Sequence, residues 1–160
     1  MKQIIVVVAL AMLLCGLAAA QSSAYTFIGP GMFQAGIHGI SGEVLGENFG
    51  AGARLMTKSG VGFGVEMSGV TSRPNEEFGM GGGNAYYDFK AEGKTVPFIG
   101  GGYLRSFGHG WDENWVSMGG GVNYWVHRKT GLLVEARDYL HYESGHTAQV
   151  LCLRMGLSFK

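Results

Sequence analysis

The end of the chain alternates strictly between two kinds of side chain. From Val150 to Phe159, every second residue is large and apolar, and the residues between them are smaller or polar. The apolar set is Leu151, Leu153, Met155, Leu157 and Phe159. Because successive side chains of a β-strand point to opposite faces of the sheet, the pattern predicts a strand with one wholly apolar face and an opposite face that carries Arg154.

The N-terminus has the features of a secretion signal. Lys2 precedes an apolar run from Ile4 to Leu14, and Ala18–Ala20 supplies the small residues that signal peptidase requires. We therefore expect residues 1–20 to be a cleaved signal peptide. The apolar run is shorter than the roughly 20 residues of a transmembrane helix, which argues against a membrane anchor. A lipoprotein site at Cys15 is disfavoured because Leu14 stands where a small residue is needed.

The composition of the remaining chain excludes several classes of protein. Only Lys2 is lost with the signal peptide, which leaves 11 basic and 12 acidic residues, so no basic field would attract nucleic acid. Cys152 is the one cysteine beyond Cys15, so no internal disulfide is expected. The chain has 29 glycines, but its hydrophobic fraction of 46% argues against disorder.

Short alternating runs separated by turn residues predict an all-β domain over residues 32–160, with 21–31 as an N-terminal lead-in. The predicted strands are Met32–Val44, Phe49–Met56, Val61–Val70, Phe78–Phe89, Thr95–Phe107, Trp115–His127, Leu132–Tyr142 and Thr147–Phe159. Eight is an even number, and most of these runs reach the 9–11 residues of a tilted membrane strand. The pattern is typical of an eight-stranded antiparallel up-and-down transmembrane β-barrel.

The connections fall into two alternating sets. Thr57–Gly60, Lys90–Lys94 and Arg128–Thr130 are short and basic, as expected of periplasmic turns. The predicted extracellular loops carry six of the 12 acidic residues, and they are Leu45–Asn48, Thr71–Glu77, Gly108–Asn114 and Glu143–His146.

The polar strand faces predict a charged barrel interior. A soluble barrel turns its charged face to water, whereas a membrane barrel turns it inward. The residues assigned to interior ion pairs are Arg54, Glu66, Arg105, Glu135, Arg137 and Arg154. A two-residue turn at Ser144–Gly145 would place Glu135 directly opposite Arg154. Asp138 is an exception, since it falls on the apolar face.

Four motifs resemble the small bacterial outer-membrane β-barrel family, which is OmpA/OmpX-like within the porin-type superfamily. They are V-P-F-I-G-G-G-Y from Val96, G-G-G-V-N-Y-W-V from Gly119, E-A-R-D-Y from Glu135 and R-M-G-L-S-F from Arg154. The resemblance implies a monomer in outer-membrane lipid. It also implies that the barrel-assembly machinery recognises the closing strand, through Arg154, Gly156 and Phe159. Lys160 departs from the terminal aromatic of that family.

The residues indicate neither enzyme chemistry nor a cofactor. The histidines lack zinc-ligand spacing, and the glycine runs lack the context of a phosphate loop. We expect a structural or envelope-interaction role with a filled interior and no open pore, and the sequence specifies no loop ligand. A secreted lipocalin-like barrel with a small ligand is the main alternative. A lipid A-modifying enzyme is a weaker one, because His141 and Ser144 are three apart on a strand and so point to opposite faces.

Overall fold

Eight antiparallel strands are hydrogen-bonded in chain order, and the last pairs with the first to close a barrel. The computed structural model describes residues 21–37, 40–72, 76–90, 93–108, 112–143 and 146–160. The strands are β1 Gln21–Ile37, β2 Ile40–Met56, β3 Val61–Ser72, β4 Glu76–Asp88, β5 Thr95–Phe107, β6 Asn114–Trp125, β7 Thr130–Glu143 and β8 His146–Phe159. The predicted eight-stranded transmembrane barrel is confirmed. The predicted signal peptide lies outside the described residues.

The first hairpin differs from its prediction. The supposed lead-in, residues 21–31, forms the first 11 of the 17 residues of β1, and the predicted connection Leu45–Asn48 lies inside β2. The pattern was obscured by Pro30 and its glycine neighbours, which read as a break. Yet Tyr25 and Phe27 point inward at strand spacing, and Pro30 still lies opposite Glu47 in the β1–β2 ladder.

The polarity of the barrel is inverted relative to a soluble protein. The outward residues of β8 are the predicted apolar set, and Met155 and Leu153 are 60% and 54% exposed. Comparable outward residues occur on other strands, among them Ile28, Phe63, Val65, Met67, Ile99, Val116 and Val134. An apolar exterior around an interior that holds the buried charges is the arrangement that a lipid bilayer stabilises. In the described part of the chain, no helix has the length and hydropathy to cross a membrane.

The two ends of the barrel differ in charge. Gln21 pairs with Met56 and Phe159 with Thr130, so the start of β1 and the end of β8 lie at the same end as the basic turns. The opposite end has connections at 38–39, 73–75, 108–113 and 144–145. Exposed acidic residues near it include Glu47, Glu77 and Asp112. We refer to these as the basic end and the acidic end.

The one acidic residue predicted on the apolar face has a hydrogen-bonding partner. Asp138 is half-buried on the outside of β7, and the amide nitrogen of Gln149 donates to both of its carboxylate oxygens at 3.0 and 2.9 Å. The pair therefore reduces the cost of a carboxylate at this position, because its oxygens accept hydrogen bonds without needing water.

Candidate functional site: the charged barrel interior

The centre of the barrel is crossed by an ion pair between β8 and β3. Arg154 Nη2 donates to Glu66 Oε1 at 2.6 Å, and both side chains are fully buried. Strands β1 and β2 lie between β8 and β3 in the wall, so the contact runs across the lumen rather than along the sheet. Nη1 of Arg154 also donates to Glu66 Oε2 at 3.2 Å.

Glu135 and Arg137 on β7 extend this pair into a network of four charges. Glu135 lies opposite Arg154 in the β7–β8 register, and its Oε2 accepts from Arg154 Nη1 at 3.4 Å. Its Oε1 accepts from Arg137 Nη2 at 2.5 Å. Two arginines and two glutamates cancel in formal charge, so burial of the whole set carries no net charge into the membrane. We call Glu66, Glu135, Arg137 and Arg154 the ionic network.

Uncharged side chains complete the hydrogen bonding of the ionic network. The Tyr139 hydroxyl donates to Glu66 Oε1 at 2.9 Å, and the Tyr25 hydroxyl donates to Oε2 at the same distance. Asn48 Oδ1 accepts from Arg154 Nε, and Asn84 Oδ1 accepts from Arg137 Nη1. None of these four was predicted as a site residue. Asn48, Asn84 and Tyr139 nevertheless share the inward parity of buried charged residues on their own strands, whereas β1, which carries Tyr25, has no charged residue.

Arg54 is inside the barrel but apart from the ionic network. It lies 3.7 Å from Asp88 and donates to the Ser23 hydroxyl at 3.2 Å, towards the basic end. Its guanidinium also lies 5.0 Å from the ring centroid of Phe98. Arg54 therefore belongs to a second, smaller ion pair in the interior.

Arg105 is not in the interior, contrary to prediction. It shares the outward parity of Tyr103 and Phe107 on β5, and its side chain is 65% exposed. It makes two hydrogen bonds to Asp112 at the acidic end, of 2.7 and 2.9 Å. These bonds and the positive charge of Arg105 hold the pKa of Asp112 below its usual value.

The three predicted assembly-signal residues point in different directions. Arg154 and Gly156 face inward, whereas Phe159 faces outward. A Cβ on Gly156 would lie 1.7 Å from the backbone oxygen of Thr26, so the β8–β1 seam requires glycine here. Lys160 places its ammonium 4.2 Å from the Trp125 ring centroid.

Apolar side chains fill the interior on both sides of the ionic network and leave only small cavities among the described residues. Tyr25, Phe27, Met56, Tyr86, Phe98 and Leu133 cluster on the basic-end side. The acidic-end side holds Val70, Phe78, Met80, Leu104, Trp115, Tyr139, Ala148, Val150 and Cys152. Two cavities bordering the basic-end layer measure about 10 and 20 Å³.

The residues considered for lipid chemistry do not assemble a reactive site in the described structure. His141 points into the barrel, where Nδ1 lies 2.9 Å from the Asn114 carbonyl oxygen and the ring packs on Trp115. Ser144 lies outside the described residues. Among the residues that the structure covers, no three His, Cys, Asp or Glu side chains are grouped to hold a metal ion.

No protein-family model matches the chain, and no curated protein sequence matches it. Solved structures do resemble it. Neisserial surface protein A superposes with a TM-score of 0.64 at 16% identity, covering 88% of this chain and 99% of that one.

Two further structures agree with this likeness. The N-terminal β-barrel domain of Pseudomonas aeruginosa OprF gives a TM-score of 0.56 at 13% identity, with 88% of this chain and 99% of that one covered. Ail, the attachment invasion locus protein of Yersinia pestis, gives a TM-score of 0.53 at 14% identity, with 87% of this chain and 99% of that one covered. Together with the inverted polarity of the barrel, these likenesses establish that the chain has the fold of the small eight-stranded β-barrels of bacterial outer membranes.

Proposed function

We propose that the protein is an integral outer-membrane β-barrel with a structural or envelope-interaction role, whose filled interior does not conduct as an open pore. The observation that carries the proposal is the Arg154–Glu66 contact across the lumen. An eight-stranded barrel has an interior just wide enough for its own side chains. Here the ionic network and the two apolar layers occupy that width.

The membrane location is tested by extraction and by electrophoresis. A protein with this apolar exterior should require detergent for extraction from the envelope fraction, and its unheated form should migrate differently from the boiled form. The secreted lipocalin-like alternative requires a protein that stays in solution without detergent. Recovery of the folded chain in detergent-free buffer would therefore overturn the proposal.

The filled interior is tested by conductance in planar bilayers. The wild-type barrel should give no stepwise conductance at salt concentrations where an open general porin does. The porin in the same bilayer provides the positive control. Regular single-channel steps from the wild-type protein would contradict a filled interior.

Recognition by the barrel-assembly machinery is supported by the exposed aromatic near the end of β8. Phe159 is 41% exposed on the lipid side of the folded barrel, so its ring is not needed to fill the interior. Phe159→Ala should slow appearance of the heat-modifiable form in cells. Spontaneous folding of the purified variant into detergent should change little. Impairment of both processes alike would make Phe159 a stability residue only.

An envelope interaction would involve the acidic end, since its exposed residues face outward when the basic turns lie in the periplasm. The names of Neisserial surface protein A and of Ail, an attachment invasion locus protein, are consistent with surface roles for this fold. A catalytic role in lipid A modification is not proposed, because His141 is engaged inside the barrel. Unchanged lipid A acylation after gene deletion is the expected result.

A further inference from the structure

The basic end contains a recess between two turns. It lies between the β4–β5 connection and the β6–β7 connection, and it encloses about 440 Å³. Lys94, Arg128 and Lys160 line it, together with Trp125 and Val126. The turns are held in place by backbone hydrogen bonds, including Trp125 N to Lys94 O at 2.7 Å and Lys160 N to Lys129 O at 3.0 Å.

The recess is lined by basic side chains. Lys94, Arg128 and Lys160 have no salt-bridge partner among the residues that are described. Asp88, in the interior, forms its salt bridge with Arg54 and also attracts the ammonium of Lys160. Three positive groups around one concave space create a strongly positive potential, which attracts a compact anion.

The lining of the recess also includes one exposed apolar residue that follows β6. Val126 lines the recess and is 45% exposed, and Tyr124 next to it on the outside is 44% exposed. An aromatic ring at the end of a strand is typical of the interface between the acyl chains and the headgroups. A ligand with an anionic head in the recess could therefore extend apolar chains along Val126 and Tyr124, whereas a water-soluble anion would leave these two unused.

We propose that this recess binds the phosphodiester headgroup of an anionic phospholipid of the periplasmic leaflet, with its acyl chains against the outer wall beside Val126. The proposal rests on the outer-membrane placement given above and adds a specific lipid site to it. Lys94 and Arg128 contact the phosphate, and Lys160 closes the recess from the Trp125 side. Basic pockets at the headgroup level are a known way for membrane proteins to select anionic lipids.

The test is native mass spectrometry of the full barrel released from lipid nanodiscs. Phosphatidylglycerol is the anionic probe and phosphatidylcholine the neutral one. The wild type should retain one phosphatidylglycerol in preference to phosphatidylcholine. The Lys94→Gln/Arg128→Gln variant should lose this preference by about 10-fold, since each basic residue near the surface contributes appreciably to anionic-lipid binding.

A matched control removes the same charge from the same end outside the recess. Lys58 and Lys90 lie on the basic turns but do not line the recess. Lys58→Gln/Lys90→Gln should retain phosphatidylglycerol within about 2-fold of the wild type, because only diffuse electrostatics are altered. Equal losses in the two double variants would overturn a specific site.

Two further experiments distinguish lipid binding from binding of other anions. Inorganic phosphate at millimolar concentration should not displace the retained lipid, and isolated peptidoglycan should not co-sediment with the barrel through Lys94 and Arg128. Displacement by phosphate or dependence of peptidoglycan binding on these residues would overturn the lipid assignment. The wild type and all variants are first checked for the heat-modifiable form. A wild-type barrel that inserts but retains no lipid contradicts this site alone. A wild-type chain that does not insert contradicts the proposed function.

Discussion

The guanidinium of Arg154 donates a 2.6 Å hydrogen bond to the carboxylate of Glu66, which lies 88 residues earlier in the chain. The bond joins β8 to β3 through the middle of the barrel, and Glu135 on β7 also receives a hydrogen bond from Arg154. One side chain of the closing strand therefore connects the first half of the chain to the last.

Replacement of Arg154 should be strongly destabilising. Arg154→Ala leaves Glu66 and Glu135 buried with less positive charge, and removal of one partner of a buried ion pair typically costs about 3–5 kcal/mol. Lys129→Ala, on an exposed turn, should change the free energy of unfolding by less than about 0.5 kcal/mol. Urea unfolding in detergent micelles measures both. Equal effects would contradict the buried network.

The two partners should be energetically coupled. The combined variant Glu66→Gln/Arg154→Met removes both charges at once, so its loss of stability should be smaller than the sum of the two single losses by about 0.5–3 kcal/mol. A double-mutant cycle in the same micelles gives this value. Additive losses would mean that the contact contributes nothing beyond its separate side chains.

Substitution of Gly156 should disturb the seam of the barrel. An alanine Cβ would overlap the Thr26 carbonyl oxygen, so β8 and β1 would have to separate, at a cost of about 1–3 kcal/mol. Gly83→Ala is the matched control, because the nearest atom to its added Cβ is 3.8 Å away. The comparison is read from unfolding curves of the two variants. A larger loss for Gly83→Ala would contradict the predicted role of the seam.

The Arg105–Asp112 pair should affect titration and hardly affect stability. A depressed carboxyl pKa stabilises the folded state above the ordinary value near 4, and that contribution is lost as the pH falls through the lower folded value. Arg105→Gln should therefore raise the pKa of Asp112, which NMR titration of the side-chain carboxyl carbon measures. The free energy of unfolding at pH 7 should change little, because exposed ion pairs contribute weakly to stability. An unchanged pKa would show that the pair is absent in micelles.

Strand parity was sufficient to predict much of the interior. The β8 alternation assigns Arg154 inward and Leu153 outward, and the short last hairpin places Glu135 opposite Arg154, as found. The assignment failed at Arg105, where charge was given more weight than parity with Tyr103 and Phe107. A charged residue near a strand end can face outward because it reaches water beyond the lipid.

The contact between Arg154 and Glu66 could not be derived from neighbouring strands. The pairing register defines which residues are neighbours within the sheet. A side-chain contact across the lumen depends in addition on the tilt and closure of all eight strands. For the same reason, Tyr25 and Asn48 were not recognised as partners of these charges. The extent of β1 was missed because Pro30, Gly29 and Gly31 resemble a turn, although their backbone continues the strand.

The ionic network also has a consequence for the order of events during assembly. The carboxylate of Glu66 enters the sheet with β3, but the guanidinium that neutralises it arrives with the final strand. A seven-stranded intermediate would retain an uncompensated carboxylate and an open hydrogen-bonding edge on each side. Docking of β8 would correct both defects in one step. We therefore expect closure to be cooperative, because a partly closed barrel is disfavoured both by the buried charge and by unpaired backbone groups.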